Sequence, residues 1–535
     1  MLKSDPDAKD GCRAPRPGEI KKNPTLANTF KLVGKHKKAG FYTGSVAEAL
    51  VKVVQDLGGH LTLDDLKKHM ELGTEETEPI SLKFRAQDVA KTHGQHMHDS
   101  SSEGVEVWEH PPNGQGIVAL MALGMLEELE KSGQISKWKP EDHNSAPYLH
   151  AVVETLRIAF ADANWWVADP KVAKVPTKGL IDPTYLAERA KLFSPDKASA
   201  PVSHGSPAHS HSDTVYFAAT DSEGNGISFI NSNYGGFGTC IIPKGCGFTL
   251  QNRGANFVLQ PADHPNILAP NKRPYHTIIP ALVTNVSDGS LHSVYGVMGG
   301  FMQPQGHVQV LLNQLVFGLT PQAALDSPRV CIGAGMPEAG DVFDRTVYVE
   351  EGMPEATVKG LKDLGDQVEV VKGMARGLFG RGQVIRWSVD KVEGKGVWSA
   401  GSDNILNFAE LLGQADVVRI AFGPIMPKPT RDRSGVPNAQ APMPNAIQGG
   451  AEEMQNLSLL RVTSGTAIPN GETVRFRYWC CSPAAVTFDS GSTCMCQFCR
   501  GVRGSTSPPE YSPGEQRVDE PQACVIISDT FRMCS

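Results

Sequence analysis

Hydrophobic and polar positions follow two textures along this chain, and the change falls near residue 214. In the first texture apolar residues recur at helical spacing. Residues 45–57 (SVAEALVKVVQDL) repeat this way and stop at Gly58-Gly59, where glycine suits a helix C-cap. A short helix is predicted over Asp64–Met70, and longer ones over 115–131 and 146–163. Residues 1–40 are polar and broken by proline and glycine, a poor beginning for a compact domain. Ala86–Glu103 (AQDVAKTHGQHMHDSSSE) reads as an inserted surface loop; its His93, His96 and His98 lack the cysteine or carboxylate pattern of a metal site.

From Thr214 onward the runs shorten and alternate: TVYFAATD, GISFIN, HTIIPALVTNV and LHSVYGVMGG, separated by Gly, Asn and Asp. These are strand signals with tight turns. A helix over 303–318 follows the double glycine, and strands are predicted near 382–388 and 396–401. Strands between helical regions predict a layered α/β arrangement. Six prolines between Pro424 and Pro444 mark a semi-rigid linker, and the tail after 455 is unlike everything before it.

Composition narrows the function classes. A net charge of -7 over 535 residues gives no electrostatic case for nucleic acid or an anionic membrane. The sequence holds no run of 18 apolar residues, and the first residues lack the apolar core of a secretory signal. Seven of the eleven cysteines lie from Cys480 onward, while Cys12, Cys240, Cys246 and Cys331 are scattered, which is no disulfide framework. A cytoplasmic protein is expected. GxSxG, P-loop, HExxH and dinucleotide-binding motifs are all absent. One candidate nucleophile stands out: Thr214, opening a strand directly after the loose segment SHGSPAHSHS. Alone, a threonine there expresses only β-propensity.

Neighbouring segments change its weight. GFYTGSVAEALVKVVQDLGGHLTLDDL, PPNGQGIVALMALGMLEELE, DTVYFAATDSEGNGISFINSNYGGFGT, APNKRPYHTIIPALVT and GVMGGFMQPQGHVQVLLNQLVFGLTPQAALDSPR occur in that order. Together they resemble the γ-glutamyltranspeptidase family over residues 12–405, most of all its transpeptidase-like and cephalosporin-acylase-like branch. The resemblance implies an αββα N-terminal-nucleophile hydrolase sandwich, made as one chain and cut by itself before Thr214. Large and small subunits would then come from one precursor. It further implies an amidohydrolase or acyltransferase for γ-glutamyl or related acyl amides that needs no cofactor. The freed α-amine of Thr214, with a reference pKa of about 7.7–8.0, would take the hydroxyl proton. Gly299 and Gly300 fall at the family's double-glycine oxyanion hole, although alone they would read as a turn ending a strand. Ser232 falls where a second hydroxyl supports the nucleophile.

Departures from the family bear on the acyl group. Where transpeptidases grip the glutamyl ammonium, this chain carries Tyr234, Arg253 and Asn256. The serines that hold the α-carboxylate are replaced by His276 and Thr277. An arginine at 253 would repel an ammonium and suit an anionic acyl group of the glutaryl type. The family's long opening segment has no match here, so the sandwich is expected to be incomplete at its N-terminus, which would hinder folding and self-cleavage.

In the tail, CMCQFCRGVRGS resembles the zinc-binding core of the glutathione-dependent formaldehyde-activating family. That resemblance implies a zinc site at Cys494, Cys496 and Cys499 with Cys481 as fourth ligand, or else a degenerate remnant. The expected organisation is therefore a partial large subunit over 1–213, a small-subunit-like part over 214–412, a linker over 413–454 and a small cysteine-rich, β-rich module over 455–535. Two rival readings remain. Activity can reside in that module as a carbon–sulfur lyase acting on glutathione adducts, or the chain is inactive.

Overall fold

The computed structural model describes residues 2–16, 18–85, 97–98, 104–199, 212–333, 346–390, 396–403, 457–462, 476–481 and 524–528. Alternation along the central strands decides its layers. On Ala281–Asn285 and Leu291–Met298 every residue is buried. Ala281, Val283, Tyr295 and Val297 face one way, into a large cluster with the helices Gly116–Lys131, Ala146–Trp166 and Met302–Leu315. Leu282, Val294 and Met298 face the other way, against Tyr216, Ala218 and Ile230 of a second sheet. Residues of period two that are apolar on both faces specify a strand sandwiched between layers.

The first sheet is antiparallel, in the order Gly396–Ser402, Arg381–Asp390, Leu291–Met298, Ala281–Asn285, Val105–Glu109, Ile80–Phe84. The second runs Cys524–Ser528, Ser212–Asp221, Gly226–Gly235, Leu457–Val462, Phe476–Cys481, Glu75–Thr77. Its centre is the hairpin 212–235, closed around Asp221, whose carboxylate accepts from the Glu223 and Asn225 amides. A small third sheet joins Val330–Ile332, Thr346–Glu350 and Gln367–Val371.

Several expectations need adjustment. Residues 1–40 do contain a helix, Pro24–His36: Asn23 caps it through the Leu26 amide, Pro24 occupies its first turn, and buried Thr29 donates to the Cys246 carbonyl. The cap and the proline are local signals, whereas the contact with Cys246 is tertiary. Helices Pro183–Ala190, Pro321–Asp326 and Glu355–Asp363 were also not predicted. Of the run HTIIPALVTNV only Ala281–Asn285 is strand. Of the His-rich insertion, Met97–His98 pairs with Val389–Asp390, while His93 and His96 lie outside the described residues. Of the four expected layers, the described residues supply one helical layer and two packed sheets. The helices within 24–72 gather around Cys246, Phe248 and Leu250. Segments of the tail, expected in a separate module, are paired onto both sides of the hairpin 212–235. A strand edge with unpaired N–H and C=O groups accepts such pairing.

The two main sheets approach closely at glycines. A Cβ on Gly296 would lie 2.4 Å from Cε2 of Tyr216, whose ring covers this glycine from the opposite sheet. Because Tyr216 also shares a hydrogen bond with Ser228 (2.8 Å), the ring cannot swing away freely. Gly296→Ala is expected to destabilise the fold by about 1–3 kcal/mol through overpacking, measured as a lower urea midpoint; an unchanged midpoint would show that the sheets have slack here.

Candidate active site

Thr214 stands at the start of the strand Ser212–Asp221, where pairing with Gly226–Gly235 becomes irregular. Ser212 pairs with Gly235 and Thr214 with Ser232, so the register slips at Asp213. A bulge of this kind re-aims a side chain. Thr214 is buried, and its hydroxyl donates to Ser232 Oγ at 3.0 Å. Ser232 Oγ in turn accepts from the Tyr234 amide at 2.8 Å. Tyr234 holds a φ of +78°, strained for a bulky residue, which turns its ring toward Arg253. The Arg253 guanidinium lies 5.4 Å from the centre of that ring, and its Nη1 donates to Thr277 Oγ1 at 2.5 Å.

On the other side of Thr277 the chain of contacts continues. Gln115 Nε2 donates to the Thr277 carbonyl (2.5 Å) and to the Gly300 carbonyl (2.9 Å). Gly299 and Gly300 have φ of +135° and +60°, values that side chains resist, and a Cβ on Gly299 would stand 3.1 Å from both Gly380 Cα and Met302 Cβ. The turn is closed by the Met302 amide donating to Gly299 O and the Gln303 amide to Gly300 O. Asn256 Nδ2 donates to Tyr275 O (3.0 Å), and the His276 amide to Asn113 O (2.9 Å). Thus Thr214, Ser232, Tyr234, Arg253, Thr277, Gln115 and Gly300 form one unbroken contact path, with Asn256 and His276 hydrogen-bonded into its flank.

Electrostatics in this region are set by burial. The His276 imidazole is held well below its ordinary value, first by burial and then by the nearby Arg253 charge. Burial likewise pushes His110 down to about 3 and Tyr234 up to about 12. Asp169 is held low: burial works upward, but hydrogen bonds from the Arg273 side chain and backbone outweigh it. That pair anchors the segment RPYHT, from which Tyr275, His276 and Thr277 project. Sequence reasoning missed Gln115, Asp169 and Arg273 as parts of the site. Gln115 contacts residues 162 and 185 positions away, so only its place within PPNGQG hinted at it.

Cys494, Cys496 and Cys499 lie outside the described residues, and Cys481 ends a strand paired with Leu457. Among the described residues no group of His, Cys, Asp and Glu can hold a metal ion, and no helix is long and apolar enough to cross a membrane.

A neutral histidine in the fold carries a pH signature. The unfolded chain gains a proton at His276 below about pH 6.5 that the folded site refuses. Stability is therefore complete above that pH and falls below it by about 1.4 kcal/mol per unit. His110 adds a parallel loss. His276→Gln is expected to remove its share of the slope between pH 6.5 and 5, read from urea midpoints; an identical slope would mean that the imidazole charges freely in the folded state.

Comparison with known proteins bears on this geometry. The γ-glutamyltranspeptidase family profile matches residues 8–406. A glutathione hydrolase-like proenzyme of Bacillus subtilis is 33% identical over 394 residues, 73% of this chain and 66% of that protein. An oxamate amidohydrolase proenzyme of Klebsiella pneumoniae is 31% identical over 381 residues, 71% of this chain and 64% of that protein. The crystal structure of a cephalosporin acylase from Bacillus halodurans superposes with a TM-score of 0.58 at 35% identity, covering 74% of this chain and 63% of that one. The chain thus spans just under two thirds of the length of these relatives. With the profile matching most of its length in one continuous block, the chain belongs to the γ-glutamyltranspeptidase family.

Proposed function

We propose that the chain is an N-terminal-nucleophile amidohydrolase or acyltransferase, cut before Thr214 into large and small subunits, acting on amides whose acyl group carries a carboxylate. The observation that carries this reading is the contact path from the Thr214 hydroxyl to the Gly300 carbonyl by way of Arg253. It unites a nucleophile, a supporting hydroxyl, a cationic acyl anchor and a glycine turn. After cleavage the Thr214 α-amine takes the proton from Oγ as Oγ attacks the amide carbonyl. The oxyanion develops toward backbone N–H groups of the Gly299–Gly300 turn. Collapse breaks the C–N bond, the proton passes to the leaving amine, and an ester remains on Thr214. Water, or an acceptor amine, then attacks the ester and gives a proton to the α-amine; collapse breaks the bond between Oγ and the acyl carbon, and the proton passes from the α-amine back to Oγ.

Arg253 supports the acyl preference. Its fork stays charged and matches a carboxylate in geometry. Neutral His276 beside it adds no competing charge. The name of the Klebsiella relative points the same way, since oxamate is an amide whose acyl part carries a carboxylate. A γ-glutamyl ammonium placed against Arg253 would instead meet a like charge.

Two outcomes are expected. Purified protein should show a new N-terminus at Thr214 and two pieces on a denaturing gel, whereas Thr214→Ala stays a single chain without turnover. Wild-type protein that remains one chain and is inactive would refute the assignment. Glutaryl amides should be turned over better than γ-glutamyl anilides. Arg253→Glu should reverse that order through a charge interaction of about 4 kcal/mol at an effective dielectric of 20; equal rates on both substrates in both proteins would remove Arg253 from the site.

A further inference from the structure

Residues 113–115 run edge to edge with 275–277. The His276 amide donates to Asn113 O, the Gln115 amide to His276 O (3.1 Å), and Asn113 Nδ2 to Pro274 O (2.6 Å). That ladder already fixes the segment. The Gln115 side chain goes further: both hydrogens of its amide are spent on carbonyls, one of Thr277 and one of Gly300. Its Oε1 accepts from the Tyr275 hydroxyl at 3.2 Å, which fixes which way the amide faces. The side chain is fully buried. A glycine pair with positive φ has no side chains to pin it, so its orientation depends on what holds its carbonyls.

We propose that Gln115 is a positioning residue that latches the acyl-recognition segment to the oxyanion turn, so that an acyl carboxylate seated on Arg253 and Thr277 also aligns Gly299–Gly300. This rests on the acyl-transfer reading above. The logic is geometric. Thr277 presents its hydroxyl to Arg253 and its carbonyl to Gln115, while the same amide nitrogen of Gln115 holds the peptide plane leaving Gly300. A shift of Thr277 caused by acyl binding is passed to the turn through one planar, doubly anchored group. Binding of the acyl group and stabilisation of the oxyanion are then coupled, and the coupling acts on the chemical step more than on affinity.

The test uses the full chain carrying Gln115→Met, which keeps length and packing but has no donor. On a glutaryl amide, kcat is expected to fall about tenfold to a hundredfold with KM nearly unchanged. Self-cleavage, which needs the same turn, should slow in parallel. Hydrogen exchange provides a readout independent of turnover. In the uncleaved Thr214→Ala background, Gln115→Met should speed exchange in 298–302 and 275–278 together while 226–231 keeps wild-type protection. If Gln115→Met does not fold, Tyr275→Phe removes just the hydroxyl on Gln115 Oε1; the same two segments should loosen, with a smaller loss of kcat. Unchanged exchange in 298–302, or a raised KM at constant kcat, would overturn the latch. A wild-type chain without turnover would count against the acyl-transfer reading, and exchange would still decide on the latch.

Discussion

The contact between the Tyr216 ring and the bare backbone of Gly296 ties the strand that carries Thr214 to the strand that leads into Gly299. Tyr216 lies two residues past the candidate nucleophile on the same face of its strand, and Gly296 lies three residues before Gly299. Nothing larger than hydrogen fits at 296 without moving the ring. At the other end of the same packing, a Cβ on Gly226 would lie 2.7 Å from Leu291 Cδ2 and Val294 Cγ2, so close approach of the two sheets relies on missing side chains on both of them. Apolar burial around it, through Leu282, Val294, Met298 and Ile385, adds the driving force without the directionality.

Around this frame the interior holds many polar side chains, several of them amides. Along the helix Met302–Leu315, Gln305 and Gln309 stand one turn apart and each bonds the edge of the strand Val330–Ile332 as another strand would. Gln305 Oε1 accepts from the Ile332 amide and Gln309 Oε1 from the Val330 amide, and their Nε2 groups donate to the carbonyls of the same two residues. Gln303 accepts from the Ile279 amide, two residues past Thr277. A buried amide left unbonded costs about 1–3 kcal/mol, so such a set works only when its partners are present together. His307 and Glu109, fully buried and 2.7 Å apart, tie the same helix to the strand Val105–Glu109. Burial pushes the Glu109 carboxyl up, and the histidine works in the opposite direction.

Much of the candidate site was legible because it is written in local signals. Thr214 opens an alternating run, Ser232 sits on the partner strand of the same hairpin, and Gly299-Gly300 ends another run. In each case neighbours in sequence are neighbours in space. The helices 115–131 and 146–163 were readable for the same reason, as long apolar periods. The helix Pro24–His36 was not, because its buried face is defined by Cys246 and Phe248, more than two hundred residues away.

By itself, the sequence determined the alternating hairpin, the double glycine, and a family membership carried by several motifs in order. These are consequences of covalent neighbourhood and of apolar period. The tertiary structure alone decided that Gln115 reaches both Thr277 and Gly300, that Arg253 lies against Tyr234, and that tail strands flank the hairpin 212–235. Hydrogen bonds and edge pairings of this kind depend on angstrom-scale approach between segments far apart in the chain. A one-dimensional pattern encodes which residues want burial, and not which buried partner each will meet.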